Sequence, residues 1–338
     1  MTTPIKSIGE AGLLAELLPL LRRHTENMPL GTGDDVAVTE AQPGGRLVWT
    51  IDTMVEGTHF RWWNHPLVTG RALGGKLVTS NVSDLASKGA NPLFALVSLG
   101  VPKDASVATI NDFYAGMDEA LLNYGARLIG GDTVRAPQWC LTLALVGTIA
   151  VDYPLAARAN ARVGMKVYVT GSTGDSAAGL DILEGKLTTE GPHVEHLLRA
   201  HLSPEVSVQR GQEIIAACGR RCAMIDTSDG LVHDAGEIAR ASGVCIYLDS
   251  EAIMPSMQLR AAVKDKQSVW GPMTLNGGED YRLLFCAEEL PQDVKARLRV
   301  HQIGEVWPGS GVMIRYWNQG ENTEFVAPAK DTGFQHFA

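Results

Sequence analysis

Residues 50–60 read TIDTMVEGTHF, and they follow directly on the apolar Leu47, Val48 and Trp49. An apolar, β-prone run thus leads into Asp52, with Glu56 and His59 a few residues later. A carboxylate at the end of a buried strand must be hydrogen-bonded, paired or metal-bound, because leaving it dry and alone costs several kcal/mol, roughly. The same juxtaposition of apolar segment and acidic turn recurs along the chain and organises its reading.

The recurrences are GTGDD at 31–35, NVSDLASKGA at 81–90, LIGGDT at 128–133, MIDTSDGL at 224–231 and NGGEDY at 276–281. Each puts carboxylates beside Gly, Ser or Thr at the edge of an apolar segment. Asp and Glu are hard oxygen ligands, and several converging on one place make a site for Mg²⁺, which keeps waters or takes phosphate oxygens. A single such turn is ordinary turn or N-cap chemistry, and Asp84 or Asp229 read alone is no more than that. Six together repel one another unless cations gather them. GSTGDSAAGLDIL at 171–183 adds a Gly/Ser/Thr-rich turn that opens a helix, whose amides and dipole suit an anion. No Walker A loop and no protein-kinase H-R-D or D-F-G set occurs, so the usual nucleotide-binding folds are disfavoured.

At 338 residues the chain is long for one core, and two domains are expected, 1–150 and 151–338, meeting in the Pro- and Gly-containing 151–164. A composition 45% hydrophobic and 20% charged describes a folded protein with a sizeable core. The 29 basic and 38 acidic residues give a formal charge of −9, which argues against a general nucleic-acid or anionic-membrane surface. The N-terminus lacks the basic-then-apolar order of a signal peptide, and no run approaches the roughly 18 apolar residues of a membrane span, so a cytoplasmic protein is expected. The five cysteines are odd in number and complete no zinc pattern, so reduced structural thiols are expected.

Helical spacing of leucines predicts a helix over 10–23, kinked or ended by Pro19. Strands are predicted at 36–38, 47–51, 94–101 and 141–149, with helices over 68–88 and 110–124. Further strands are predicted at 166–170, 222–225, 244–248, 281–286 and 302–306. This mixture without strict βαβ alternation predicts an α+β first domain followed by a second mixed domain.

Taken in order, GTGDD, TIDTMVEGTHF, NVSDLASKGANP, GGDTVR, VTGSTGDSAAGL, DTSDGL, GGEDY and the terminal GFQHF resemble the thiamine-monophosphate kinases over nearly the whole chain. These belong to the superfamily of aminoimidazole ribonucleotide synthetase, selenophosphate synthetase and the hydrogenase maturation factor HypE. The resemblance implies a two-domain PurM-like α+β fold with a C-terminal α/β domain and an active-site cleft between the domains. It also implies a homodimer whose N-terminal sheets pair into a barrel. The implied activity is direct, in-line transfer of the γ-phosphoryl group of ATP to thiamine monophosphate, the last step to thiamine diphosphate. The implied Mg²⁺ ligands are Asp35, Thr50, Asp52, Asp84, Asp132, Asp226 and Asp229, with Ile51 giving its backbone carbonyl; Asp52, Asp132 and Asp229 are assigned to the transfer step itself. ATP contacts would be Tyr114, Gly131, Asp132, Arg158 and Ser228, and acceptor contacts His59, Glu279 and Phe334. Glu279 would face the thiamine cation and Phe334 would stack on it.

Two features depart from the family pattern. A hydroxyl residue is usual where this chain has Ile51, which matters only if that side chain binds metal. The segment FRWWNHPLV at 60–68 is unexpectedly aromatic beside the substrate histidine. The alternative is another ATP-using enzyme of the superfamily with a different acceptor, although no cysteine precedes Cys140 to serve selenophosphate chemistry. A non-catalytic nucleotide- or metal-binding protein on the same fold would be marked by decay of the acidic set, which is complete here.

Overall fold

The computed structural model describes residues 45–318 and 323–334, together with Glu16, Leu17 and Pro19. The helix expected over 10–23 and the strand at 36–38 fall outside these residues, apart from Glu16, Leu17 and Pro19, which are helical. The chain divides into two compact units, Met1–Leu85 with Ala90–Tyr153, and Ala86–Gly89 with Pro154–Ala338.

In the first unit, β1 (Gly45–Val55), β2 (Asn91–Val101), β3 (Arg127–Arg135) and β4 (Cys140–Ala150) form a sheet in the order β1-β4-β2-β3. β4 runs antiparallel to β1 and β2, and β3 is parallel to β2 after a crossover through the helix Val107–Asn123. β4 shows why: CLTLALVGTIA alternates buried Leu141, Leu143, Leu145 and Ile149 with half-buried Thr142, Ala144, Val146 and Thr148, the period of a one-sided strand. The helices Gly70–Ala86 and Val107–Asn123 bury Leu77, Val78, Val82 and Leu85 on one and Ile110, Phe113, Met117 and Leu121 on the other. They meet through glycine. A Cβ on Gly74 would stand 2.1 Å from the Phe113 carbonyl oxygen, and one on Gly116 2.0 Å from that of Arg71.

β1 corrects one expectation. Asp52 does not end a buried strand: β1 runs on to Val55, Asp52 is half-buried within it, and β1 is an edge among the described strands. Its alternate residues Leu47, Trp49 and Ile51 are 49, 69 and 65% exposed, because they lie on the sheet face opposite the helices. Ile51 is in register with Ala144 and, across β4, with the 48% exposed Leu96, so this apolar face spans three strands. β3 went unpredicted, since two glycines weaken any strand pattern. Gly131 has a structural cause, as its Cβ would lie 2.3 Å from the Val97 carbonyl oxygen.

The second unit holds β5 (Lys166–Thr170), β6 (Ala223–Asp226), β7 (Cys245–Asp249), β8 (Leu283–Ala287), β9 (Val300–Trp307), β10 (Gly311–Asn318) and β11 (Thr323–Pro328). Their order is β11-β10-β7-β9-β5-β8-β6, antiparallel at every step but β10 to β7. The helix Leu231–Ser242 buries Leu231, Val232, Ala235 and Ile238 in a core with Val167, Ile225, Ile246 and Ile303. A smaller cluster of Ala178, Leu197, Leu259 and Val263 joins the helices Asp175–Leu183, His193–Leu202 and Met257–Ala262. The stretch Ala86–Gly89 belongs here because Lys88 Nζ donates to the carbonyls of Ala156 and Met224, at 3.0 and 2.7 Å. None of the five cysteines forms a disulfide.

Candidate active site

In the first unit, strand alternation puts Thr50 and Asp52 on the face of β1 that looks toward the helices. Thr50 Oγ1 donates a short hydrogen bond to Asp84 on the helix Gly70–Ala86, which fixes that orientation. Ile51, between them, projects to the opposite face, so its side chain is not among these oxygens. His59 sits in the turn that follows. Gly57 there adopts φ +84° and its N–H donates to the Phe60 carbonyl, while His59 Nδ1 accepts the Val55 N–H at 3.0 Å. With Nδ1 acting as acceptor, a neutral ring carries its proton on Nε2.

The aromatic segment now has an account. Phe60 and Trp62 meet edge to face at 5.7 Å, and Trp62 meets Trp139 at 5.3 Å, so these rings pack the turn. The Glu56 N–H donates to the Trp139 carbonyl. Tyr114 is buried on the helix Val107–Asn123 and hydrogen-bonds Thr133; burial is the main reason its pKa is raised, with the neighbouring charge of Asp132 adding to it. Asp132 does not join Asp52 within the unit. Three spacings of roughly 4.8 Å separate β3 from β1, and Asp132 is in register with Ser98, on the other sheet face.

In the second unit the DTSDGL turn is the hub. It leaves β6 at Asp226 and enters the helix at Leu231. Asp234, in the first helical turn, accepts the N–H groups of Asp229 and Gly230 at 3.3 and 3.2 Å. Burial, then the charges of Asp226 and Asp229, push the Asp234 carboxyl up to about 8. The Asp226 and Asp229 charges thus act on Asp234, and carboxylate oxygens are hard ligands of the kind Mg²⁺ takes. Among the described residues, no three carboxylate, histidine or cysteine side chains converge as a finished metal cage. Asp35 lies outside the described residues.

The backbone of the same turn binds two of the three residues expected to contact the acceptor. The Glu279 N–H donates to the Ser228 carbonyl at 2.8 Å, and the Phe334 N–H to that of Asp229 at 3.1 Å. Glu279 holds φ +62°, a strained conformation for a non-glycine residue, beside Gly278, whose Cβ would stand 2.6 Å from the Ser228 oxygen. Arg158 lies elsewhere in the unit, 3.6 Å from Glu237 on the helix Leu231–Ser242.

The 171–183 turn differs from its reading as an open anion cradle. The partner of these amides is internal: buried Asp280 accepts the N–H groups of Gly174 and of Ser176, the latter at 3.1 Å. Sequence reading noted GGEDY but gave Asp280 no role. It also missed Asp234, and His201, whose Nδ1 lies 3.1 Å from Ser176 Oγ and 3.4 Å from Glu279 Oε2. Asp234, four residues after Gly230 at the head of an amphipathic helix, carried a detectable capping signal. The other two depend on contacts remote in sequence.

Comparison with known proteins agrees with this architecture. The family models described as AIR synthase related protein, N-terminal and C-terminal domains, match residues 33–149 and 162–316. Thiamine-monophosphate kinase of Escherichia coli (strain K12) is 34% identical over 284 residues, 83% of each chain. That of Aquifex aeolicus is 32% identical over 310 residues, 92% of this chain and 95% of its own. The solved structure of AaThiL complexed with AMPPCP and TMP is 31% identical, covers 100% of both chains and superposes with a TM-score of 0.75. With this similarity in sequence, in domain composition and in fold, the chain belongs to the thiamine-monophosphate kinase family.

Proposed function

We propose that this protein transfers the γ-phosphoryl group of ATP to thiamine monophosphate, giving thiamine diphosphate and ADP by direct in-line displacement. The carrying observation is the DTSDGL turn: it bears two of the proposed metal ligands, and its Ser228 and Asp229 carbonyls bind the amides of Glu279 and Phe334. The relatives named as thiamine-monophosphate kinases, and the related complex with AMPPCP and TMP, support both the donor and the acceptor.

Thr50, Asp52, Asp84, Asp226 and Asp229 would hold Mg²⁺, with Asp35, Asp132 and the Ile51 carbonyl. Bound Mg²⁺ neutralises charge that develops on the transferred phosphoryl group. The protein's own part is alignment. Tyr114, Gly131, Arg158 and Ser228 would contact ATP. His59, presenting its Nε2 proton, would donate to the acceptor phosphate, while Glu279 and Phe334 take the thiamine cation by charge and by stacking. No covalent nucleophile is required.

A homodimer is part of this proposal, and the exposed apolar face of Leu47, Trp49, Ile51 and Leu96 supports it. A cytoplasmic setting goes with this reading; no helix among the described residues is long and apolar enough to cross a membrane. A coupled ADP assay tests the function. Release of ADP should depend on thiamine monophosphate and be far slower with free thiamine, because a site built for a phosphate leaves its donors unpaired without one. Equal rates on both acceptors would overturn the assignment.

A further inference from the structure

The last described residues form a tied strap. Asp331 Oδ2 lies 3.0 Å from His233 Nδ1 on the helix Leu231–Ser242, while Asp331 Oδ1 accepts the Gly333 N–H at 3.0 Å. The Thr332 N–H donates to Asn276 Oδ1 at 3.0 Å, and the Phe334 N–H to the Asp229 carbonyl at 3.1 Å. Gly333 is held so closely that a Cβ would stand 2.5 Å from the Asp229 carbonyl oxygen and 3.2 Å from His233 Cβ. Four consecutive residues are therefore fastened to the DTSDGL turn, to the helix it opens and to the residue preceding GGEDY. One carboxylate does two jobs, since one oxygen closes the turn on Gly333 and the other anchors it to His233. Phe334, at the end of this strap, remains 40% exposed, as a ring offered to a ligand would be.

We infer that Asp331, through its two bonds to His233 and Gly333, is the positioning residue that fixes Phe334 for acceptor recognition. The inference rests on Phe334 being an acceptor contact, as proposed above. In this role Asp331 acts by denying the strap other conformations, so that acceptor binding does not have to order it.

The test is a double-mutant cycle on the full-length protein with Asp331→Ala, Phe334→Ala and the pair, varying thiamine monophosphate and ATP separately. Asp331→Ala should raise the KM for thiamine monophosphate about tenfold, the size of one net hydrogen bond or slightly more, and leave the KM for ATP within about twofold. In the double variant it should add nothing to Phe334→Ala, because a lost ring no longer needs placing. Amide hydrogen exchange at Thr332 and Phe334 should quicken in Asp331→Ala while β6 and the helix Leu231–Ser242 keep their protection. Asp331→Asn, which retains an acceptor for the Gly333 amide, should recover part of the effect and serves as the milder variant if alanine lowers the melting temperature. Additive effects in the cycle, or unchanged exchange at Thr332 and Phe334, would overturn the inference. An unchanged acceptor KM in Phe334→Ala would instead overturn the reading of Phe334 itself, and the exchange data would still decide whether Asp331 holds the strap.

Discussion

Asp280→Asn offers a stability measurement whose pH dependence can be worked from the structure. The Asp280 carboxyl is buried and accepts the amides of Gly174 and Ser176; burial outweighs those two bonds and raises its pKa to about 7. In the unfolded chain an aspartate titrates near about 3.9. Between these values the native state binds a proton that the unfolded state has released. The contribution of Asp280 to stability is therefore full below the unfolded value and is lost as pH rises through about 7. At about 1.4 kcal/mol per pH unit, raising the pH from about 5 to about 7 removes roughly 2–3 kcal/mol. Asparagine cannot titrate. It keeps one acceptor and turns an NH₂ group toward the other amide, which costs about 1–3 kcal/mol for a buried donor left unsatisfied. Urea denaturation of both proteins across this range should show the wild type more stable in acid and the difference shrinking toward zero, or reversing, near pH 8. A difference that stays constant with pH would refute the reasoning, because Asp280 would then not titrate in this window.

Ile51→Thr should leave turnover and the Mg²⁺ half-saturation within about twofold, since the side chain at 51 projects away from Thr50 and Asp52; a large gain in Mg²⁺ affinity would show that a hydroxyl there binds metal. Trp49→Glu puts a charge on the exposed apolar face, and light scattering should report a single-chain mass where the wild type gives about twice that; a wild type that is monomeric and fully active would contradict the dimer. Gly211→Ala would place a Cβ 1.9 Å from the Ala86 carbonyl oxygen and should cost about 1–3 kcal/mol or more. An unchanged melting temperature would show that the two segments separate freely.

Much of the fold was legible where packing is one-sided or a motif fixes the turn. The alternation in 140–150 gave β4 almost to the residue, and the helix-period segments before and after 94–101 gave the first-unit helices. β1 was legible as a strand but not in its surroundings, because an apolar run does not tell which face a neighbour covers. Leu47, Trp49 and Ile51 read as core and are exposed. β3 was hidden by Gly130 and Gly131, and β10 and β11 were not predicted at all. The candidate site was legible as a set of motifs, whereas its internal bonds were not. That Asp280 fills the Gly174 turn, that His201 meets Glu279, and that Asp331 reaches His233 are pairings across 106, 78 and 98 residues, and no local pattern encodes a partner so far away.

The most direct test of the account is the rate of thiamine diphosphate formation from ATP and thiamine monophosphate by Asp52→Asn, compared at equal folded protein with Asp249→Asn. Asp249 on β7 pairs with Arg315 on β10, with three strands between β7 and the β6 that carries Asp226, and belongs to none of the acidic motifs, so its variant should form product near the wild-type rate. Asp52→Asn keeps the size and one acceptor oxygen but loses the charge. It should lose turnover by orders of magnitude, with partial recovery at high Mg²⁺ if weakened metal affinity is the cause. Wild-type product formation by Asp52→Asn at limiting Mg²⁺ would contradict the proposed metal site at this position.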